Sequence, residues 1–306
     1  SRDSDEFMWD HKDLLIVFSA GNEGTDKNTD GVIDTDSMGA PGTAKNVLTV
    51  GASESGRPSG SGGYSADTWY QAWPSDYPSN PIRGDLISAS YDTTNQGMAA
   101  LSSRGPTDDG RTKPDIVAPG TDIVSVRSRL SPTKALWGTH SNTNYQFSGG
   151  TSMSTPLTAG AAALVRQFFM DKKGVTNPSA ALIKATLLNG ARSLTPGQYG
   201  AGTAREIPAA PRPNSVEGWG EVNLEGSLYP ASPRALFFHD TNTLTTGATQ
   251  EYPLQVTSST NLSVTLVYSD YPASLAGATK LVNDLDLVLI GPSGQAYFPS
   301  GRTSAD

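Results

Sequence analysis

Two short runs constrain the architecture more tightly than anything else in the chain. LLIVFSA (14–20) and NVLTVGA (46–52) are unbroken apolar stretches of strand length. A strand with one wet face alternates in polarity. A strand that does not alternate needs cover on both faces, which helices laid over a parallel sheet provide. DIVAPG (115–120) and DIVSVR (122–127) extend the strand set. DLISAS (85–90) and AALSS (99–103) are shorter candidates, all set off by Gly, Pro and Asp turns.

The helical periods complete that picture. Residues 1–12 read as a polar helix end. A long helix is predicted from Thr151 to Lys173, with a small-residue face at Ala159, Gly160, Ala162 and Ala163 suited to close packing. A second helix is predicted over PSAALIKATLLNGA (178–191), with Asn177 as N-cap and Pro178 at the first helical position. Residues 1–230 are therefore expected to form an α/β domain layered on a parallel sheet. Residues 53–79, rich in Gly, Ser, Trp and Tyr, are expected to be a surface loop region.

The pattern changes after about residue 230. RALFFHD, QEYPLQVTS, LSVTLVYSD and LVNDLDLVLIGPSG are short β-branched or aromatic runs separated by turn residues, with no helical period. They predict an antiparallel β-sandwich, jelly-roll-like, over 231–306, joined through SLYPASP (227–233).

Composition removes several function classes. The formal net charge of -8 over 306 residues opposes nucleic acid and anionic membranes as partners. The absence of cysteine excludes a disulfide framework, a thiol nucleophile and zinc–thiolate sites. No apolar stretch reaches the roughly 18 residues that span a bilayer.

The chemistry concentrates in FSGGTSMSTPLTAG (147–160), just where the long helix begins. A serine hydroxyl needs a base to take its proton and donors to hold the oxyanion it creates. Helix N-terminal N–H groups supply the second. Gly149 and Gly150 let another backbone come close, and Pro156 is expected in the first turn, where a missing N–H costs little. Ser152 is then either a helix cap or a nucleophile. SAGNEG (19–24) closes the first buried strand, where open α/β sheets bind ligands. Ser19, Ala20 and Gly21 are small enough for a substrate to lie against, and Asn22 carries an amide that can donate to an oxyanion.

Taken together, Gly150-Thr151-Ser152-Met153-Ser154-Thr155-Pro156 and Ala20-Gly21-Asn22 resemble the nucleophile and oxyanion motifs of the subtilisin-like serine peptidases. APGTAKNVLTVGA (40–52), SSRGPTDDGRTKPDIVAPGTDIVS (102–125) and GWGEVNLEGSL (218–228) resemble later segments of that family. The tail resembles the β-barrel domain that follows the protease in alkaline subtilases. The resemblance implies Ser152 as the acyl-forming nucleophile, Asn22 as an oxyanion donor, and Ser19, Ala20 and Gly21 bordering the specificity pocket. In that family the triad runs Asp, His, Ser. Neither a D-[ST]-G nor an H-G-T motif occurs here. His11, His140 and His239 have no motif that assigns them the base. The acid and base are accordingly expected upstream of residue 1, and this chain is expected to be the carboxyl-terminal part of a secreted protease, inert or nearly so alone. Its expected partners are a polypeptide substrate and the upstream N-terminal part of the same protease.

DKNTDGVIDTD (26–36) places oxygens at Asp26, Asn28, Asp30 and Asp34 with Gly31 at the sixth position, in the manner of an EF-hand loop. Val32 would add its carbonyl. Ser37 stands where the bidentate Glu belongs, and Asp36, one place early, is the substitute. Structural calcium is the expected cofactor, against an Asp-rich turn with no metal. Asp270, Asn283, Asp284 and Asp286 form a weaker second set, equally readable as a solvated acidic face. Two functions stand side by side: an endopeptidase working through an acyl-enzyme, and a catalytically inert binding module on the same scaffold. An esterase reading lacks the G-x-S-x-G elbow, because Ser154 follows two residues after Ser152.

Overall fold

The structure is a computed structural model, and it describes residues 1–88, 96–130, 137–209, 211–240 and 243–304. Three parallel strands run β1 (Val17–Ser19), β2 (Leu48–Ser53) and β3 (Ile116–Pro119), in that spatial order. The register pairs Val17 with Leu48 and Val50 with Ile116. β2 is buried along its whole length, as an unbroken apolar run requires. β1 is only half-buried, where the sequence predicts cover on both faces. The reason is its place at an edge. β3 is shielded on its far side by main-chain bonds from Val117 to Gly220 and from Val222 to Val117, whereas β1 pairs only with β2 among the described residues.

The helix α3 (Thr151–Lys173) lies on this sheet and has the predicted bounds. Gly174 ends it with a left-handed φ of 70°. Its buried stripe is Thr151, Ser154, Thr158, Ala161, Ala162, Val165, Phe168 and Phe169, which meets Leu48, Val50, Ile116 and Ala118 of the strands. The predicted small-residue face holds only at Ala162. Ala159, Gly160 and Ala163 are exposed, because the stripe that faces the sheet is rotated from them. Pro156 sits in the second turn rather than the first, so the carbonyl of Ser152 lacks its usual partner four residues on.

The helix α4 (Ala180–Asn189) starts two residues later than predicted. Its cap is Ser179, which accepts the Leu182 N–H at 3.0 Å. Asp240 in turn takes the Ser179 N–H at 2.9 Å, a contact 61 positions away that no local signal reveals. Asn177 is drawn off by Arg166 at 2.8 Å. Beneath α4, Asp115 pairs with both Lys113 at 2.6 Å and Lys184 at 3.1 Å. Burial pulls the Lys113 amine down to about 7.

Residues 53–79 are not a surface loop. The short helix α2 (Trp69–Ala72) is closed by a capping box of Thr68 and Gln71. Trp69, Trp73, Tyr77, Tyr64 and Trp137 stack edge-on or tilted with centroids 5.3–6.5 Å apart. Together with Ile82 and Ile87 they make a second apolar core. Of the shorter strand candidates, 99–103 is a buried turn, and Leu86 within 85–90 makes one isolated bridge to Thr68, while 89–90 lie outside the described residues. The remaining elements before the tail are the hairpin β4 (Ile123–Val126) with β5 (Tyr145–Ser148), and α5 (Leu224–Leu228).

The structure does not confirm the sandwich predicted for the tail. Among the described residues beyond 230, strand pairing is confined to β6 (Leu289–Ile290) with β7 (Ala296–Tyr297). Leu236, Phe238 and Val267 turn inward and pack on the α/β core, Phe238 edge-on to Phe169 at 4.9 Å. Asp270 is tied at 2.5 Å to Lys45 and receives the N–H groups of Val282 and Asn283. No helix among the described residues is long and apolar enough to cross a membrane.

Candidate active site

The site assembles where two parallel strands end. β1 gives way to Ala20, Gly21 and Asn22, and β3 gives way to Gly120. The main chain of Gly150, the residue before α3, donates to the Gly120 carbonyl at 2.7 Å. That bond hangs the start of α3 from the carboxyl edge of the sheet. Gly120 has no room for a side chain, since a Cβ would stand 2.4 Å from Ser154 Oγ.

Asn22 then closes the gap between the two ends. Its Oδ1 accepts both the Thr151 N–H and the Thr151 hydroxyl, each at 2.9 Å. With the oxygen committed, the Nδ2 amide is the side of Asn22 left to donate. Ser152, the next residue, is exposed and is the second residue of the helix. Ser152 thus stands in the first turn of α3, where main-chain N–H groups favour negative charge, directly after the residue that Asn22 holds. A Cβ at Gly150, whose φ is 126°, would sit 3.2 Å from the Asn22 carboxamide, so bulk there would push against that side chain.

Ser19 ends β1, and Ala20 and Gly21 carry the chain on to Asn22. Ala20 is buried, its N–H bonded to Val50 at 2.9 Å. Gly21 has φ 114°, and a Cβ on it would meet Ser103 Oγ at 2.6 Å. Ser103 holds this arm from below, donating its main-chain N–H to Gly21 and accepting the Glu23 N–H on its hydroxyl, both at 3.0 Å. The sequence reading overlooked Thr151 and Ser103. Thr151 lay in view, as the residue of the nucleophile motif adjoining Ser152; Ser103 had no local signal.

No described histidine hydrogen-bonds Ser152. His11 is exposed at the end of α1 (Arg2–Asp10) and stacks on Phe7 at 4.2 Å. His239 lies in the tail against Tyr252 at 4.3 Å. His140 packs near Phe147, with ring centroids 5.5 Å apart.

The acidic loop is knotted onto its own backbone. Asp26, 1% exposed, accepts the N–H groups of Asp30 and Gly31 at 3.0 and 3.1 Å. Asp30 accepts from Val32, Asn28 from Asp30, and Asp34 from Lys27. Gly31 has the positive φ, 82°, that its sixth position predicts. Asp36 bonds through its main chain to Gly105, outside the loop. Of the weaker set, Asp270 is taken by Lys45 and by Asn283, so its carboxylate serves as a clasp for the tail. Among the described residues, no group of three or more His, Cys, Asp or Glu side chains is arranged to hold a metal ion.

Comparison with known proteins adds the following. The sequence pattern of the subtilase family matches residues 2–220. A serine protease/ABC transporter B family protein of Dictyostelium discoideum, tagA, is 29% identical over 98% of this chain and 20% of its own length. Serine protease AprX of Bacillus subtilis is 31% identical over 65% of this chain and 35% of its own. The structure of fervidolysin from Fervidobacterium pennivorans aligns with a TM-score of 0.42 at 20% identity, covering 76% of this chain and 25% of that one. The chain spans about a fifth to a third of the length of these two curated relatives.

Proposed function

The chain belongs to the subtilase family, and from that premise we propose that it carries the nucleophile and oxyanion pocket of a serine endopeptidase. Ser152 attacks the peptide carbonyl. The oxyanion is received by Asn22 Nδ2 and by the main-chain N–H of Ser152. A histidine outside these 306 residues takes the serine proton, and an aspartate outside them orients that histidine. Substrate backbone lies against Ser19, Ala20 and Gly21. The observation that supports this reading is the pair of hydrogen bonds from Thr151 to Asn22 Oδ1, which joins the carboxamide to the residue before Ser152 and leaves Nδ2 as its donor side.

A fluorophosphonate probe tests it. Ser152 is expected to label when the upstream part of the protease is supplied and to stay unlabelled, or nearly so, in this chain alone. Labelling that survives Ser152→Ala, or no labelling once the upstream part is present, overturns the proposal. The inert binding module is the reading that the second outcome would favour.

Two finer elements belong to the same proposal. Calcium at Asp26, Asn28, Asp30, Asp34 and the Val32 carbonyl rests on residue order and on the turn at Gly31. The ion would neutralise carboxylates four residues beyond Asn22 and would be structural. A melting temperature unmoved by EDTA and by added calcium removes it. The antiparallel sandwich of residues 231–306 rests on alternation and on the exposure of Leu254, Val256, Val264 and Leu266, the residues a second sheet would cover. Amide exchange on the full-length secreted protein should find those segments protected.

A further inference from the structure

A cavity of about 380 Å³ opens beside β5, lined by Gly60, Ser61, Gly62, Thr139, His140 and Phe147 among others. The segments that build it, 60–62 and 139–141, have no part in the site described above. Phe147 forms its floor. Gly62, with φ 113°, lies so close that a Cβ there would stand 2.6 Å from the Phe147 ring, so the walls are held apart by a glycine rather than left apart by loose packing.

The cavity is coupled to the nucleophile by covalent geometry. Phe147 precedes Ser152 by five residues, a span of at most about 17 Å. The connection is rigid. Gly149 abuts the Trp137 indole, where a Cβ would be 2.2 Å away, and Gly150 hangs from Gly120. About five residues of an extended peptide span that separation.

The lining selects what can enter. His140 Nδ1 accepts the Asn142 main-chain N–H at 3.0 Å, which places the ring proton on Nε2. That Nε2–H has no partner among the described residues. Hydroxyls from Ser61 and Thr139 stand beside it, and none of the described lining residues is acidic. The Arg57 guanidinium lies 5.5 Å from the Phe147 ring centroid and also faces Asp122. Donors over an aromatic floor, without a carboxylate, fit a side chain that ends in a hydrogen-bond acceptor and carries negative charge.

Resting on the peptidase reading above, we infer that this cavity is a specificity site for a glutamate or aspartate side chain of the polypeptide substrate, with His140 as the residue that recognises it. The test uses the full-length protease and peptide pairs that differ only in Glu against Gln, or Asp against Asn, at each of the five positions on either side of the cleaved bond. At one position the acidic member is expected to have a kcat/KM about tenfold higher. His140→Phe should bring that ratio to one, and His140→Gln, which keeps a donor, should retain part of it. Fluorophosphonate labelling of Ser152 is followed in every variant. Full labelling with no acidic preference at any position, or a preference that persists in His140→Phe, overturns this inference and leaves the peptidase reading intact. Neither labelling nor cleavage would overturn both.

Discussion

At the residue scale, Asn22 has two separable jobs. Its oxygen is a structural acceptor for Thr151, and on the proposed peptidase reading its nitrogen is the oxyanion donor. Asn22→Asp keeps an acceptor toward Thr151 and replaces the donor with a charge that repels an oxyanion. The expected result is a folded protein of nearly unchanged melting temperature whose kcat/KM falls by at least the order that losing one oxyanion donor costs in subtilisin, about 10²–10³. Asn22→Ala loses both jobs, so it should also lower stability by about 1 kcal/mol in urea melts. A variant that loses stability without losing activity would deny Asn22 its catalytic share. The two motifs were legible in the sequence because they are local strings, and the fold joins them through Thr151 and Asn22. Ser103 was not, because its service to Gly21 and Glu23 depends on a fold that brings position 103 beneath position 21.

At the element scale, local signals fared well where the element was closed by its own neighbours. The helix α3 begins after Gly150 and ends at Gly174, and both limits could be read directly. The helix α4 was misread by two residues because Ser179 is stabilised by Asp240 from the tail. The aromatic core around Trp69 was missed because Trp137 arrives from a segment about 70 residues away. Around that core, burial outweighs hydrogen bonding on two acids. Asp85, which accepts from Tyr199 at 2.5 Å, and Glu206, which accepts from Met98 at 2.7 Å, are both raised by burial to about 7. In the unfolded chain they titrate near their ordinary values of 3.8 and 4.5. Between those values and 7 the folded state holds protons that the unfolded state has released. Stability from this cluster is therefore full below about pH 4 and is lost as pH rises through 7. Asp85→Asn, which keeps an acceptor for Tyr199 and cannot ionise, should flatten that decline. Urea unfolding at pH 5 and pH 7.5 reads the difference, and an unchanged slope would rule Asp85 out as its source.

At the scale of the whole molecule, the parallel sheet and its covering helix were legible, while the tail's packing was not. Periodicity reports that a segment is extended and half-buried, but not which surface buries it. Here the tail is fastened to the α/β unit by Asp270, which gathers Lys45, the N–H groups of Val282 and Asn283, and, through its main chain, Asn46. Asp270→Ala leaves the Lys45 ammonium buried without its counter-charge, a loss of about 3–5 kcal/mol. Lys45→Met with Asp270→Leu together should recover much of that loss. Amide exchange in residues 262–290 should rise sharply in the single variant and far less in the double. Equal exchange in both would show that the tail is held by its apolar contacts at Phe238 and Val267 alone.

The pairing of Thr151 with Asn22 also bears on how such a protein tolerates change. Because the strand end and the helix start are bolted together through Thr151 and Asn22, the residues on either side of that joint travel as one lever. Insertions elsewhere in the chain can then remodel what reaches the site while its internal alignment is conserved. The exposed stretches 58–61, 128–130 and 141–144 are the ones free to diverge in sequence without disturbing the buried core.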